Sequence, residues 1–170
     1  NTQVTVTFDL QDDWLVSDQF SSIHVDIAKA YERLFERADV VTANSEGTVK
    51  LAKQYGRDDV HFISNGCDPE RFSARSRASG PVTIGYVGKL GRRLNVPLMK
   101  AVCAGLPDAK FIIAGPVLDK ESVREISGIP NVSLIGDVHS DRVPQLLETF
   151  DVGWVPHHVG KYEVGGDVLK

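Results

Sequence analysis

The densest run of residues able to do chemistry is Val82 to Asn95, VTIGYVGKLGRRLN, where Gly85, Gly88 and Gly91 are interleaved with Lys89, Arg92 and Arg93. Small residues let backbone N–H groups approach an anion, and a helix opening at Asn95 adds partial positive charge. Three cations beside such amides suit a diphosphate. The competing reading is a plain turn, its glycines serving backbone geometry and its basic side chains solvated. The glycines also mimic a loosened dinucleotide-binding fingerprint, but that motif needs an acidic residue at the carboxyl end of the next strand to hold the ribose. The next strand, Lys110 to Ala114, runs instead into Gly115 and Pro116, with Asp108 at its other end. Walker spacing is absent.

Other candidate groups also follow β-branched runs. Asp9, Asp12 and Asp13 in FDLQDDW lie just beyond the first such run, where one of them could serve as general base toward a hydroxyl or simply cap and solvate a turn. Asn65, Gly66 and Asp68 in NGCDPERF are open to the same two readings. Gly136, Asp137 and Val138 end the run NVSLIGDV, at the position where an open parallel sheet places its ligand crevice. The last run holds Pro156, His157, His158, Gly160, Glu163, Gly165, Gly166 and Asp167. Adjacent histidines on extended backbone point apart, so a polar sugar-binding loop fits this run better than a metal centre.

The elements that must position these groups are legible. Short β-branched runs recur at Val4–Phe8, Val40–Ala43, Val60–Ile63, Val82–Val87, Phe111–Ala114, Val132–Ile135 and Val152–Val155. Helical periodicity lies between several of them: Ile27, Tyr31, Leu34 and Ala38 fall on one face, as do Val49, Ala52 and Tyr55. Ser45 is placed to cap a helix that Gly56 ends, Asn95 with Pro97 opens one that Gly105 closes, and Asp141 with Pro144 opens another. Alternating strands and helices predict an α/β fold with parallel sheets, because parallel neighbours need a crossover helix. The stretch from Arg71 to Pro81 is almost devoid of apolar residues after Phe72 and reads as a linker, with a long surface loop as the alternative.

Composition narrows the classes further. Of 170 residues, 42% are hydrophobic and 25% charged, which excludes disorder as the default, and a formal charge of −4 argues against broad nucleic-acid binding. The two cysteines, Cys67 and Cys103, have no metal-ligand spacing and read as small buried apolar residues in a reducing, cytoplasmic setting. No apolar run approaches the roughly 20 residues of a membrane span. Asn1 leads almost at once into a strand-like run and Lys170 stops inside a fresh apolar pattern, Val168 and Leu169, so the chain reads as a piece of something longer.

Taken in order, ADVVTANSEGTVKLAKQYG, VHFISNGCDPERF, VTIGYVGKLGRRLN, FIIAGP, PNVSLIGDV and LLETFDVGWVPH resemble the retaining GT-B glycosyltransferases of family four, group 1 type. The resemblance covers nearly the whole chain. It implies two Rossmann-like parallel-sheet halves, both incomplete: residues 1–72 from the acceptor-side domain, a linker over 73–81, and 82–170 from the donor-binding domain. It implies transfer of a sugar from a nucleotide-diphospho-sugar to an acceptor hydroxyl with the anomeric configuration kept, in polysaccharide or glycoconjugate synthesis. The acceptor would be a saccharide or a lipid-linked group. No cofactor, metal or nucleic acid is expected, and any peripheral membrane contact would come from segments outside this chain. On the residues, Gly88 and Lys89 match the glycine and basic residue that approach the diphosphate, with Arg92 or Arg93 as a second cation. Gly136, Asp137 and Val138 match the turn beside the nucleobase, and Glu163, Gly165, Gly166 and Asp167 match the loop that touches the donor sugar. Many relatives carry a second glutamate eight positions further on, which would fall after Lys170. Asp12 and Asp13 resemble an acidic signature and are the candidate catalytic pair. Turnover is expected to need both complete halves. A nucleotide-sugar epimerase of the same architecture and a non-catalytic binding domain are the alternatives.

Overall fold

Seven strands and five α-helices alternate through the computed structural model, which describes residues 4–73 and 75–159. They form two compact units, one running to Gly66 and the other comprising Cys67–Val159.

In the first unit β1 (Thr7–Leu10), β2 (Val40–Ala43) and β3 (His61–Phe62) form a parallel sheet in that order. Its helices are α1 (His24–Arg37) and α2 (Glu46–Gln54). The expected run Val4–Phe8 is displaced toward the carboxyl end: Thr7 pairs with Val40, while Val4 and Val6 are exposed. Val6 is still tied to the neighbouring strand, its N donating to Asp39 Oδ2 at 2.8 Å and its carbonyl accepting from Asp39 N at 2.8 Å and Val40 N at 3.2 Å. Helix α1 buries Ile27, Tyr31 and Phe35, an i, i+4, i+8 stripe, so Phe35 takes the place expected for Leu34. Phe8, Tyr31, Phe35 and Tyr55 pack as an aromatic cluster with centroids 4.9–6.1 Å apart. Ser45 caps α2 as the sequence predicts. Its hydroxyl accepts from Thr48 N and Thr48 Oγ1 accepts from Ser45 N, both at 3.1 Å, a reciprocal arrangement worth about 1 kcal/mol.

In the second unit β4 (Thr83–Val87), β5 (Lys110–Ala114), β6 (Val132–Gly136) and β7 (Val152–Gly153) form a second parallel sheet, ordered β6-β5-β4-β7. Helices α3 (Val96–Gly105) and α4 (Lys120–Ser127) contribute Met99 and Ile126, both fully buried, to a core shared with Tyr86 and Ile113. Sequence periodicity is silent on α4 because its eight residues include only two apolar ones, Val123 and Ile126. Helix α5 (Val143–Leu147) leads to Phe150, whose ring occupies the space a Cβ on Gly85 would fill at 2.0 Å. The Asp141–Pro144 signal opens a 3-10 turn, Ser140–Arg142, ahead of α5, and the cap itself is His139.

The apolar-poor stretch after Cys67 is held by two arginines. Arg71 reaches Ser140 O at 3.3 Å and Asp141 Oδ1 at 3.5 Å, while Arg77 pairs with Glu148 at 3.0 Å and donates its amide to Glu148 O at 2.6 Å. Residues 67–72 group with the second unit. Of the two cysteines, Cys103 is buried, which pushes its thiol pKa up, but Cys67 is exposed, contrary to expectation. It follows the end of the first sheet, in a segment with no buried neighbours in sequence from His61 to Phe72.

Candidate anion-binding site at the strand ends

Parallel strands bring their carboxyl ends to one edge of the sheet, and in the second unit three of them end in glycine. Gly88 follows β4, Gly115 follows β5 and Gly136 ends β6. Backbone hydrogen bonds tie these ends side by side: Gly88 N donates to Ala114 O at 2.9 Å and Gly115 N donates to Gly136 O at 2.7 Å. The approach is close. A Cβ on Gly115, whose φ is +140°, would lie 1.9 Å from Gly88 O, whereas one on Gly136, at φ +79°, would meet nothing within 4 Å. Glycine is thus needed at 115 for contact and at 136 for backbone conformation, and Gly136 borders open space.

The loop from Gly88 to Asn95 is anchored on both sides. Toward β5, Leu90 N donates to Pro116 O at 2.9 Å, and Leu90 O accepts from Leu118 N at 2.8 Å and Asp119 N at 3.0 Å. Toward β7, Asn95 N donates to Pro156 O at 2.8 Å and His158 N donates to Arg93 O at 2.9 Å. Beneath the loop, the buried Tyr86 hydroxyl donates to Lys89 O at 3.2 Å and meets His157 Nε2 at 3.1 Å. Asn95 caps α3 by accepting from Leu98 N at 3.1 Å.

What this anchoring leaves over decides the chemistry. The N–H groups of Lys89, Gly91, Arg92 and Arg93 donate to no other described residue. Among the described residues the side chains of Lys89, Arg92 and Arg93 form no ion pair, and Lys89 and Arg92 are exposed. Asp119 is the nearby acid: its carboxyl pKa is lowered chiefly by the Ser122 hydroxyl, 2.6 Å away, then by backbone amides and by the charge of Arg92. Burial pushes the Tyr86 phenol up against the opposing charge of Arg93, so it remains a donor near neutrality. Unpaired amides, unpaired cations and side-chain-free backbone therefore converge on one edge, an arrangement suited to a polyanion.

Of the sequence-derived candidates, Gly88, Lys89, Arg92 and Arg93 lie in this loop, although Gly88 offers a bare Cα rather than a free amide. Gly136 stands two strands away along the same edge and leads into exposed Asp137 and half-buried Val138. Glu163, Gly165, Gly166 and Asp167 lie outside the described residues. Asp12 and Asp13 follow β1 in the first unit. There Asp13 Oδ1 accepts from Leu15 N at 2.9 Å, and Asp12 O accepts from the Tyr31 hydroxyl at 3.3 Å. Also in the first unit, Asn44 Nδ2 donates to both Gln11 Oε1 and Asn65 Oδ1 at 3.3 Å, an uncharged amide cluster at that sheet's carboxyl edge. The sequence marks His157 only as a member of the last polar run and gives no site role to Gly115 or Tyr86. The strand-ending Gly115-Pro116 pair was the available signal. Nothing local marks the Tyr86–His157 contact across 71 positions.

HepE and TarM are among the solved structures that resemble this chain in fold. HepE of Anabaena, determined with UDP and glucose, superposes with a TM-score of 0.66 over 88% of this chain and 45% of its own, at 20% identity. TarM gives a TM-score of 0.67 over 89% of this chain and 32% of its own, at 14% identity. The two units have the fold of GT-B glycosyltransferases. In sequence the chain is 27% identical over 184 aligned positions to TuaH of Bacillus subtilis (strain 168), a candidate teichuronic acid biosynthesis glycosyltransferase. That alignment takes in 97% of this chain and 46% of TuaH, so the chain spans about half the length of the curated relative it matches. No protein-family model matches the chain. Among the described residues, no group of three or more His, Cys, Asp or Glu side chains is placed to hold a metal ion, and no helix is long and apolar enough to cross a membrane.

Proposed function

We propose that this chain is part of a glycosyltransferase that moves a sugar from a nucleotide-diphospho-sugar to an acceptor hydroxyl, with retention of anomeric configuration. The observation that carries this reading is the glycine-floored edge of the second sheet, with the unpaired amides and cations of Lys89, Gly91, Arg92 and Arg93 beside it. In this reading the second unit takes the donor and the first belongs to the acceptor side. Lys89, Arg92 and Arg93 offset the charge that grows on the diphosphate as the glycosidic bond breaks. Such preorganised donors act without reorganising at the moment of reaction. Gly136, Asp137 and Val138 flank the nucleobase. Glu163, Gly165, Gly166 and Asp167 approach the donor sugar. Asp12 or Asp13 receives the acceptor proton, and since Asp13 already holds a backbone amide, Asp12 has the freer carboxylate. UDP is the first nucleotide to test, because HepE was determined with UDP and UDP-glucose and a TarM mutant with UDP. The name of TuaH supports polysaccharide assembly as the setting, and with it we propose a saccharide or lipid-linked acceptor and a cytoplasmic location.

Calorimetric titration with UDP, GDP and their sugar conjugates, with and without chelator, tests the reading. Metal-independent binding that falls about tenfold for each of Lys89→Ala and Arg92→Ala, the loss of one charge-assisted contact of about 1.5 kcal/mol, is the expected outcome. Absence of binding both to this chain and to a full-length protein containing it would sink the donor-site assignment.

A further inference from the structure

We propose that His157 is a positioning residue for the anion loop, acting through Tyr86 on the peptide that joins Lys89 to Leu90. The inference rests on the donor-site reading above and extends it to a residue that touches no phosphate. The Lys89 carbonyl can only accept, so the Tyr86 hydroxyl spends its single hydrogen there, at 3.2 Å. The ring nitrogen facing that hydroxyl must then be the donor, which places a hydrogen on His157 Nε2, 3.1 Å away. The order of donation is therefore His157 to Tyr86 to Lys89 O.

The other end of the same peptide is Leu90 N, which donates to Pro116 O at 2.9 Å. A planar peptide held at its oxygen from below and at its nitrogen from β5 cannot flip. Its orientation fixes where the flanking unpaired amides of Lys89 and Gly91 point. The segment that carries His157 also grips the far end of the loop, through Pro156 O to Asn95 N at 2.8 Å and His158 N to Arg93 O at 2.9 Å. His157 and Tyr86 are further held by an edge-on ring contact with centroids 5.7 Å apart. The chain after β7 thus sets the geometry of the loop after β4, though the bonded residues, Asn95 with Pro156 and Arg93 with His158, lie 61 and 65 positions apart in sequence.

Variants at 157 separate hydrogen bonding from packing. His157→Phe keeps a ring but has no donor, and His157→Gln keeps an N–H donor but has no ring. The expected result is that His157→Phe and Tyr86→Phe each weaken UDP binding about five- to tenfold, His157→Gln stays close to wild type, and the double variant is no weaker than the worse single one. Amide hydrogen exchange at Gly88 and Leu90 should accelerate in His157→Phe and not in His157→Gln. Wild-type exchange and affinity in His157→Phe, or additive losses in the double variant, would overturn the proposal. If the wild-type chain binds no UDP, it is the donor-site reading that fails. The exchange rates still decide whether His157 holds the loop.

Discussion

Replacing Gly115 with alanine tests whether the strand-end glycines form a close-packed backbone floor. The added Cβ would sit 1.9 Å from Gly88 O and 2.6 Å from Gly88 C, both backbone atoms that cannot rotate away. Because real Cβ contacts below 3.0 Å are essentially unknown, the β4 and β5 loops must part by about 1 Å. That movement takes the 2.9 Å bond from Gly88 N to Ala114 O out of hydrogen-bonding range and strains the 2.7 Å bond from Gly115 N to Gly136 O. Two such bonds at about 1 kcal/mol each, plus about 1–2 kcal/mol for holding alanine at φ +140°, give a loss of about 3–4 kcal/mol. Gly136→Ala is the internal control: its φ of +79° carries the same backbone cost of about 1–2 kcal/mol, but no atom lies within 4 Å. Urea unfolding followed by Trp154 fluorescence, in a Trp14→Phe background so that only the second unit reports, measures the difference. With a slope of about 1–2 kcal/mol per molar urea, the Gly115→Ala midpoint should fall about 1–2 M below that of Gly136→Ala. Equal midpoints would refute the close approach of the two loops.

Two further outcomes follow from single side chains. Asp59 has its carboxyl pKa lowered from 3.8 to about 2, chiefly by hydrogen bonding to Arg57, which it meets at 2.8 Å through both oxygens. A carboxyl depressed by folding stabilises fully above its unfolded value and loses that contribution as pH falls. The thermal-midpoint gap between wild type and Asp59→Asn should therefore be constant above about pH 5 and close between 3.8 and about 2. A gap that widens on acidification would contradict the assignment. Asn131 Nδ2 donates to the carbonyls of Cys103, Leu106 and Ala109 at 3.0–3.2 Å, gathering the end of α3 to the start of β5. Asn131→Leu removes this donor from the Cys103 and Ala109 carbonyls, while Leu106 O keeps its bond from Ala109 N at 3.1 Å, and should cost about 1–3 kcal/mol in urea unfolding; an unchanged midpoint would show that water replaces the amide without loss.

Much of this protein is determined by short-range sequence. The alternation of β-branched runs with amphipathic stretches is enough for an α/β fold with parallel sheets, and the strand over Val40–Ala43 and the Ser45 cap stand where the pattern puts them. The glycine-rich loop is equally local, since Gly88, Lys89, Arg92 and Arg93 lie within one turn between a strand and a helix. Other features depend on which distant segments meet. The register of the first strand is set by a segment 33 positions away, with Thr7 opposite Val40 and Val6 N donating to Asp39 Oδ2. Phe35 rather than Leu34 faces the core because the sheet's position selects one of two adjacent stripes on α1. Gly115 is required only because β4 and β5 pair in register and bring Gly88 O against it. His157 meets Tyr86 because β7 lies beside β4, against chain order. Local sequence specifies backbone preference and the sign of a face, but long-range pairing chooses the neighbours, and contacts made only through pairing leave no periodic trace in the chain.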